Sequence, residues 1–423
     1  MSPEAGTRQV DLVAPPMAGH LHPVLGIAER LAAEPGLTVR VISTAAALPA
    51  IRASGLTGRA LLEGADEVIE TVVNPPYRIG SNPRKLFRQF RAAVGLQRDF
   101  RAELLDLWAR ERPDLVIADF TMGAVGTAAD EVGLPWWTVH PSPCAIEGRS
   151  GPPAYLGGLR PGVRPPGRAR DAIGRRWVRG FKRVAPRLAG VRLADVGVER
   201  IHRPDGSETI YSADRTFALT PAAIEYERSL PEAVRYVGPV LFTPPVDGPA
   251  PELAEDRRHV LLTAGTHLPW HKQALLDAAV AAVADLPDNV LVHLSLGGCA
   301  GELRPEALPD RVVVHDYVGY QRDLPRFDAV VHHGGTGVLG HTLAAGLPAV
   351  VWPVDYDQFD HAVRLVDAGV AVRLRRPAEL AHRIRQVLDD PRYRTAARRI
   401  AAGIAARPAV DQIAAEVRAR LLP

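Results

Sequence analysis

Residues 10–42 read VDLVAPPMAGHLHPVLGIAERLAAEPGLTVRVI, and this stretch decides the fold. Val10–Ala14 is a run of strand length that ends at Pro15-Pro16. Beyond a loop expected at Met17–Pro23, Leu25, Ala28, Leu31 and Ala32 recur at helical spacing. Val39–Ile42 is the next strand, so the stretch forms one βαβ unit. The pattern continues outward: Leu115–Ala118 runs into Asp119, and Gly133–Val139 extends the strand series. A second series follows at Val260–Thr263, Val290–Leu294, Val312–Val314, Ala329–His332 and Ala349–Trp352. Short apolar runs alternating with helical patterns indicate an α/β protein with parallel sheets.

Between the two series, residues 238–258 hold five prolines, several acids and few apolar residues, the composition of a linker. The expected organisation is a Rossmann-like domain over residues 1–238, a linker at 239–258 and a second Rossmann-like domain over 259–408. An amphipathic tail, 409–423, is expected to pack back on the first domain. A length of 423 residues suits two such units. Two doubly wound domains facing across a cleft place a ligand at the carboxyl ends of their strands.

Composition excludes several classes. With 47% apolar and 23% charged residues the chain is neither disordered nor collagen-like. Cys144 and Cys299 are the only cysteines, which excludes a disulfide framework and a Cys-based zinc module and fits a reducing interior. The net charge is +3, but only Lys85, Lys182 and Lys272 among 51 basic residues are lysines. A GC-rich coding sequence is sufficient cause for that arginine excess, so no nucleic-acid partner is expected. No stretch approaches the ~20 apolar residues of a membrane span. The N-terminus carries Glu4 and lacks the layout of a signal peptide. A cytoplasmic protein is expected, and assembly as a homodimer is left open.

The segment His333-Gly334-Gly335-Thr336-Gly337-Val338-Leu339-Gly340 follows a strand, and Asp355 lies 20 residues beyond Gly335. Read literally it satisfies a loose dinucleotide fingerprint. A glycine-rich turn that opens a helix lets backbone N–H groups approach a phosphate, and the helix dipole favours the anion. The bland alternative is a tight turn needed for strand–helix packing. Nicotinamide dinucleotide fits poorly, because His332-His333 crowds the place of a pyrophosphate. Too little chain also follows for a dinucleotide domain plus a substrate domain.

The segment His333–Gly337, with Ala344-Ala345-Gly346-Leu347-Pro348, Trp352-Pro353 and Asp357-Gln358, resembles the donor signature of UDP-glycosyltransferase-like enzymes. These are inverting, metal-independent glycosyltransferases of the GT-B fold, including bacterial enzymes that decorate natural products. The resemblance implies that His333 and the turn of Gly335, Thr336 and Gly337 bind the donor diphosphate, and that Asp357 and Gln358 hold sugar hydroxyls. A carboxylate beside an amide offers both acceptors and donors to adjacent hydroxyls. In Tyr317-Val318-Gly319-Tyr320, Tyr317 falls where the family stacks the nucleotide base, although it also reads as a core aromatic; Tyr320 falls beside it. Gly265-Thr266 resembles the loop whose hydroxyl reaches the phosphates. The family usually has Pro where this chain has Gly319 and commonly Gln where it has Tyr320, and two further departures matter more. Val338 stands where the family generally has a hydroxyl residue on the phosphate. His341 stands where a Glu often grips the ribose, which favours a TDP-sugar over a UDP-sugar and leaves room for a degenerate donor site.

Ala18-Gly19-His20-Leu21-His22-Pro23 resembles the family's Gly-His loop, which assigns His20 the role of general base, with Asp119 as its acidic partner. Imidazole titrates near neutrality, which suits removal of a proton from an attacking alcohol. His20-x-His22 also reads as half a metal site, but no third ligand accompanies it, so no metal is expected. What the resemblance implies is transfer of a sugar, deoxy or not, from a TDP- or UDP-sugar to a hydroxyl of a small, largely apolar natural product. A catalytically silent partner protein and a nucleotide-sugar epimerase of the same fold are the alternatives.

Residues 160–192 carry eleven Arg and Lys residues against one acid, Asp171. Within them Ile173, Trp177, Phe181, Val184 and Leu188 fall at helical spacing, and Pro186 argues against one long helix. This basic amphipathic pattern reads as the solvated face of a helix covering the acceptor pocket, as a contact for an acidic or lipid-like acceptor, or as a membrane-surface helix.

Overall fold

The aliphatic runs become parallel strands with both faces covered, the arrangement that continuous apolar strands require. The computed structural model describes residues 7–79, 82–245, 250–298 and 308–422. Glu4, Cys299 and residues 246–249 of the expected linker lie outside the described residues. The first half comprises β1 (Arg8–Val13), α1 (Ala18–Ala32), β2 (Leu37–Ser43), α2 (Leu48–Ala53), β3 (Thr57–Ala60), α3 (Asp66–Val73) and α4 (Pro83–Arg110). It continues with β4 (Leu115–Asp119), α5 (Gly123–Glu131), β5 (Trp136–His140), α6 (Pro165–Leu188), β6 (Thr216–Ala218) and β7 (Val234–Tyr236). The second half begins with β8 (Arg258–Thr263), α7 (Pro269–Val283), β9 (Val290–Ser295), β10 (Val312–His315), α8 (Tyr320–Asp323), β11 (Ala329–His332) and α9 (Thr336–Ala344). It ends with β12 (Ala349–Val351), α10 (Gln358–Asp367), β13 (Ala371–Arg373), α11 (Leu380–Asp389), α12 (Pro391–Ala406) and α13 (Ala409–Leu421).

Two parallel sheets result. Seven strands run in the order β3-β2-β1-β4-β5-β6-β7, and six in the order β10-β9-β8-β11-β12-β13. In each sheet the strand order reverses once, between β1 and β4 and between β8 and β11. Chain crossovers leave in opposite directions at these points and open a crevice beyond the strand ends. This is the GT-B architecture of two Rossmann-like domains expected from the sequence.

Each sheet is packed on both faces. Leu25, Ala28 and Leu31 of α1 pack with Val10 and Leu12 on one side of the first sheet, and Ile413 and Val417 of α13 join that cluster. Phe100, Leu104 and Trp108 of α4 cover the other side. The tail is pinned by Arg30 Nε, 2.7 Å from Asp411, and by Gln412 Nε2, which donates to the Val237 carbonyl at 2.9 Å. Within the segment expected as linker, Val240 and Phe242 are buried and pack on α1 with the first core.

Local expectations are corrected at four places. The loop expected at Met17–Pro23 is already helical from Ala18, because the Met17 carbonyl accepts His20 and Leu21 N–H and starts the first turn. Pro23 lies inside α1 without ending it, since its missing N–H forfeits one bond near the helix start. Helix α6 runs unbroken through Pro186, two residues from its end, where little helix remains to disrupt. The short strands β3, β6, β7 and β13, of three or four residues, have too few side chains to show a periodicity.

Candidate active site

The first sheet's reversal brings together the residues that follow β1 and end β4. His20 sits in the first turn of α1, and Asp119 is the last residue of β4. His20 Nδ1 lies 3.1 Å from each carboxylate oxygen of Asp119, which is 1% exposed. A carboxylate only accepts, so Nδ1 carries the proton and Nε2 is left to act as a base. Asp119 is itself oriented: its Oδ1 accepts from Thr121 N at 2.9 Å and Thr121 Oγ at 2.5 Å. Phe120 stacks on the His20 ring at 5.5 Å between centroids and on His140 at 4.0 Å. Burial pushes the His20 pKa down, but the Asp119 carboxylate more than reverses this and Asp357 adds to it, so the pKa lies above the ordinary 6.5. His22 has a different environment. It meets Phe242 edge-on, and burial and the nearby His341 lower its pKa to about 4.

The second sheet's reversal places the loop after β8 beside the turn after β11. Gly335 caps α9, and the Leu339 N–H is bonded to the Gly335 carbonyl, so the N–H groups of Thr336, Gly337 and Val338 have no partner inside the helix. The turn depends on glycine in two ways. Gly334 adopts φ +96°, and a Cβ on Gly335 would lie 2.2 Å from His333 Nε2. Two histidines brace this backbone. His332 Nδ1 accepts from Gly334 N at 3.0 Å, and His361 Nδ1 donates to the Gly334 carbonyl at 2.8 Å. His361 Nε2 then meets Ser142 Oγ, across the cleft after β5, at 3.1 Å. Burial, with the neighbouring His271 and His267, lowers the His333 pKa to about 4, so its ring is neutral at pH 7.

One cavity of about 630 Å³ joins the two reversals. His20 lines it from the first domain, and Thr266, Tyr317, Tyr320, His333, Gly335, Thr336 and Gly337 line it from the second. Val338, His341, Asp357 and Gln358 also reach it, while Asp119 stands behind His20. Its remaining first-domain wall is largely apolar, with Leu62, Val72, Leu86, Phe90 and Phe120, and carries Asn74, Gln89 and Gln97 among them.

Several expected contacts take a narrower form. Val338 is 3% exposed and packs with Leu261, Val318 and Leu324, so it offers the cavity its backbone rather than a polar group. His341 Nε2 donates to the Phe242 carbonyl at 3.2 Å, and burial lowers its pKa to about 4. Gln358 Oε1 accepts from the N–H groups of Val354 and Asp355 at 2.9 and 3.0 Å, so it meets a ligand chiefly through its amide donors. Asp355 Oδ1 accepts from the Tyr356 N–H at 3.0 Å, beside the positive φ of Tyr356. Tyr320 hydroxyl is 3.0 Å from Thr263 Oγ and Tyr320 joins the core around Val318, whereas among the described residues no such bond ties down Tyr317.

Thr121, Phe120, Ser142 and His361 escaped the sequence reading. Thr121 was recoverable, since a hydroxyl two residues after an Asp commonly bonds back to it. Ser142 and His361 are separated by 219 positions and carry no local signal.

Residues 277–420 match the family described as erythromycin biosynthesis protein CIII-like, C-terminal domain. The 4'-demethylrebeccamycin synthase of Lentzea aerocolonigenes is 30% identical over 322 residues, covering 74% of this chain and 75% of that protein. The chain belongs to the GT-B glycosyltransferase family. Among solved structures, the glycosyltransferase of kitacinnamycin superposes with a TM-score of 0.76 at 21% identity, over 98% of this chain and 99% of that one. The Streptomyces sp. SF2575 glycosyltransferase SsfS6, complexed with thymidine diphosphate, gives 0.66 at 20% identity, over 97% and 99%. This glycosyltransferase is of the natural-product and antibiotic class. Among its described residues no helix is long and apolar enough to cross a membrane, and no cluster of His, Cys, Asp or Glu is arranged to hold a metal ion.

Proposed function

We propose that the enzyme transfers a sugar from a TDP-sugar to a hydroxyl of a small apolar acceptor with inversion, using His20 as general base. The observation that carries this reading is the His20–Asp119 pair opening into the cavity lined also by the first turn of α9, whose N–H groups have no partner inside the helix. The acceptor lies against the apolar first-domain wall. Its hydroxyl proton passes to His20 Nε2 as its oxygen attacks the anomeric carbon. The bond from that carbon to the diphosphate oxygen breaks, and the electron pair leaves with the diphosphate. The helix dipole of α9, its free N–H groups and His333 stabilise that charge. Asp119 stabilises the imidazolium without taking the proton, as the Asp of a catalytic triad does.

The donor reading rests on Tyr317 as base platform, on Thr266 and Thr336 beside the phosphates, and on Asp357 and Gln358 at the sugar. His341, neutral and bonded to Phe242, offers a ribose diol no acceptor pair, which supports TDP over UDP. The complex of SsfS6 with thymidine diphosphate points the same way. The first domain then holds the acceptor and the second the donor. The test replaces His20 by Ala. Transfer should be lost while calorimetric TDP affinity stays within about twofold, because the nucleotide is held by the other domain. Full transfer by the variant, or loss of TDP binding with it, overturns the assignment.

A further inference from the structure

Helix α6 carries the longest exposed apolar feature of the described surface. Ile173, Trp177, Phe181, Val184 and Leu188 are 67, 59, 37, 47 and 62% exposed, and at 100° per residue they fall within one narrow stripe. Trp177 and Phe181 stack on each other, with centroids 5.6 Å apart. The helix is held to the protein from the far side, where Asp171 and Pro186 are buried and Lys182 pairs with Glu208 and Glu147. Along one flank of the stripe, about 100° from its centre, stand Arg176, Arg183 and Arg187. All three are exposed, and none pairs with a carboxylate among the described residues.

We infer that this face lies on an anionic lipid surface. A convex ridge of aromatic and aliphatic side chains edged by unpaired arginines matches a helix lying in the headgroup plane, apolar side down. The arginines meet lipid phosphates and carboxylates at the level where the apolar tips enter the acyl boundary. A second copy is the wrong shape and charge. Two such stripes would bring their arginine rows together, and the only acid of α6 is the buried Asp171. The surface is distinct from the catalytic cavity, as no residue of α6 lines it. Its C-terminal end nevertheless abuts the cavity wall: Arg91 of α4 donates to the Ala189 carbonyl at 2.8 Å, and the preceding residue, Phe90, lines the cavity.

The test is flotation of the full chain with vesicles of phosphatidylcholine alone or mixed with phosphatidylglycerol, at low and high salt. Wild type should float with the anionic vesicles at low salt only. Arg176→Glu/Arg183→Glu/Arg187→Glu should weaken partitioning at least about a hundredfold, from about fivefold per lost arginine. Trp177→Ser/Phe181→Ser should weaken it about tenfold or more. Both variants replace exposed side chains and should melt with the wild type. Failure of the wild type to float, or flotation unchanged in the arginine variant, overturns the inference. So does a solution dimer that Trp177→Ser/Phe181→Ser dissociates, since a second copy would then cover the stripe.

Discussion

Replacing Asp119 by Asn removes one charge from behind His20 and changes almost nothing else in size. The His20 side chain is 21% exposed and Asp119 1%, so water screens their interaction little. Between charge centres ~4 Å apart, with an effective dielectric constant near 20, the attraction of carboxylate for imidazolium is about 4 kcal/mol. The imidazolium forms only as the acceptor proton is removed, so the loss appears in the barrier as about a thousandfold in rate. The Asn amide also presents N–H to Nδ1 and favours the tautomer whose Nε2 is already protonated. The pH profile carries a second signature. The base must be neutral, so activity in the wild type rises with pH through a His20 pKa above 6.5. In the variant, burial is no longer opposed by Asp119 and the rising limb should move below 6.5. The assay is kcat/KM for sugar transfer from about pH 5 to about pH 9, with TDP titration and thermal melting as controls for folding. A variant within about tenfold of wild type, or a limb that stays above 6.5, refutes the coupling of Asp119 to His20.

Two further outcomes follow from close contacts. Gly335→Ala puts a Cβ 2.2 Å from His333 Nε2 and must displace that ring or the turn. TDP affinity should fall at least about tenfold in calorimetry, at the cost of one misplaced charge-assisted bond; unchanged affinity would show that His333 and the turn do not hold the nucleotide. The two domains are also joined by Arg364 Nε and Glu225, 3.0 Å apart with both side chains at most 3% exposed. Glu225→Gln leaves Arg364 charged without that partner and should cost about 3–5 kcal/mol in urea denaturation. Adding Arg364→Met should recover much of it. A double variant less stable than the single one would contradict this account.

Much of the site was legible because its pieces are local. Each expected residue ends a strand or lies in the loop or first helical turns that follow one, and the rule that ligands gather beyond those ends needs only strand order. His20 follows β1 in the first turn of α1, Asp119 ends β4, and His333–Gly337 follows β11. Resemblance then supplied roles to residues already in one crevice. The strands themselves were legible where both faces are buried, as in Ala329–His332, whose bounds were read without error. They were not legible in β6 or β7, where three residues cannot distinguish strand from loop.

By itself, then, the sequence determined the α/β class, the two parallel sheets and the chemistry of the loops, because these depend on periodicity and residue type within a few turns of chain. Tertiary structure alone decided the rest. It brought Asp119 to His20 across 99 positions and His361 to Ser142 across 219. It spent the Gln358 oxygen on its own backbone and the His341 proton on Phe242. It also left the apolar stripe of α6 facing outward, where periodicity alone would have turned it toward a core. Spacing along a helix shows which residues share a face; only the packing of distant elements determines what that face meets.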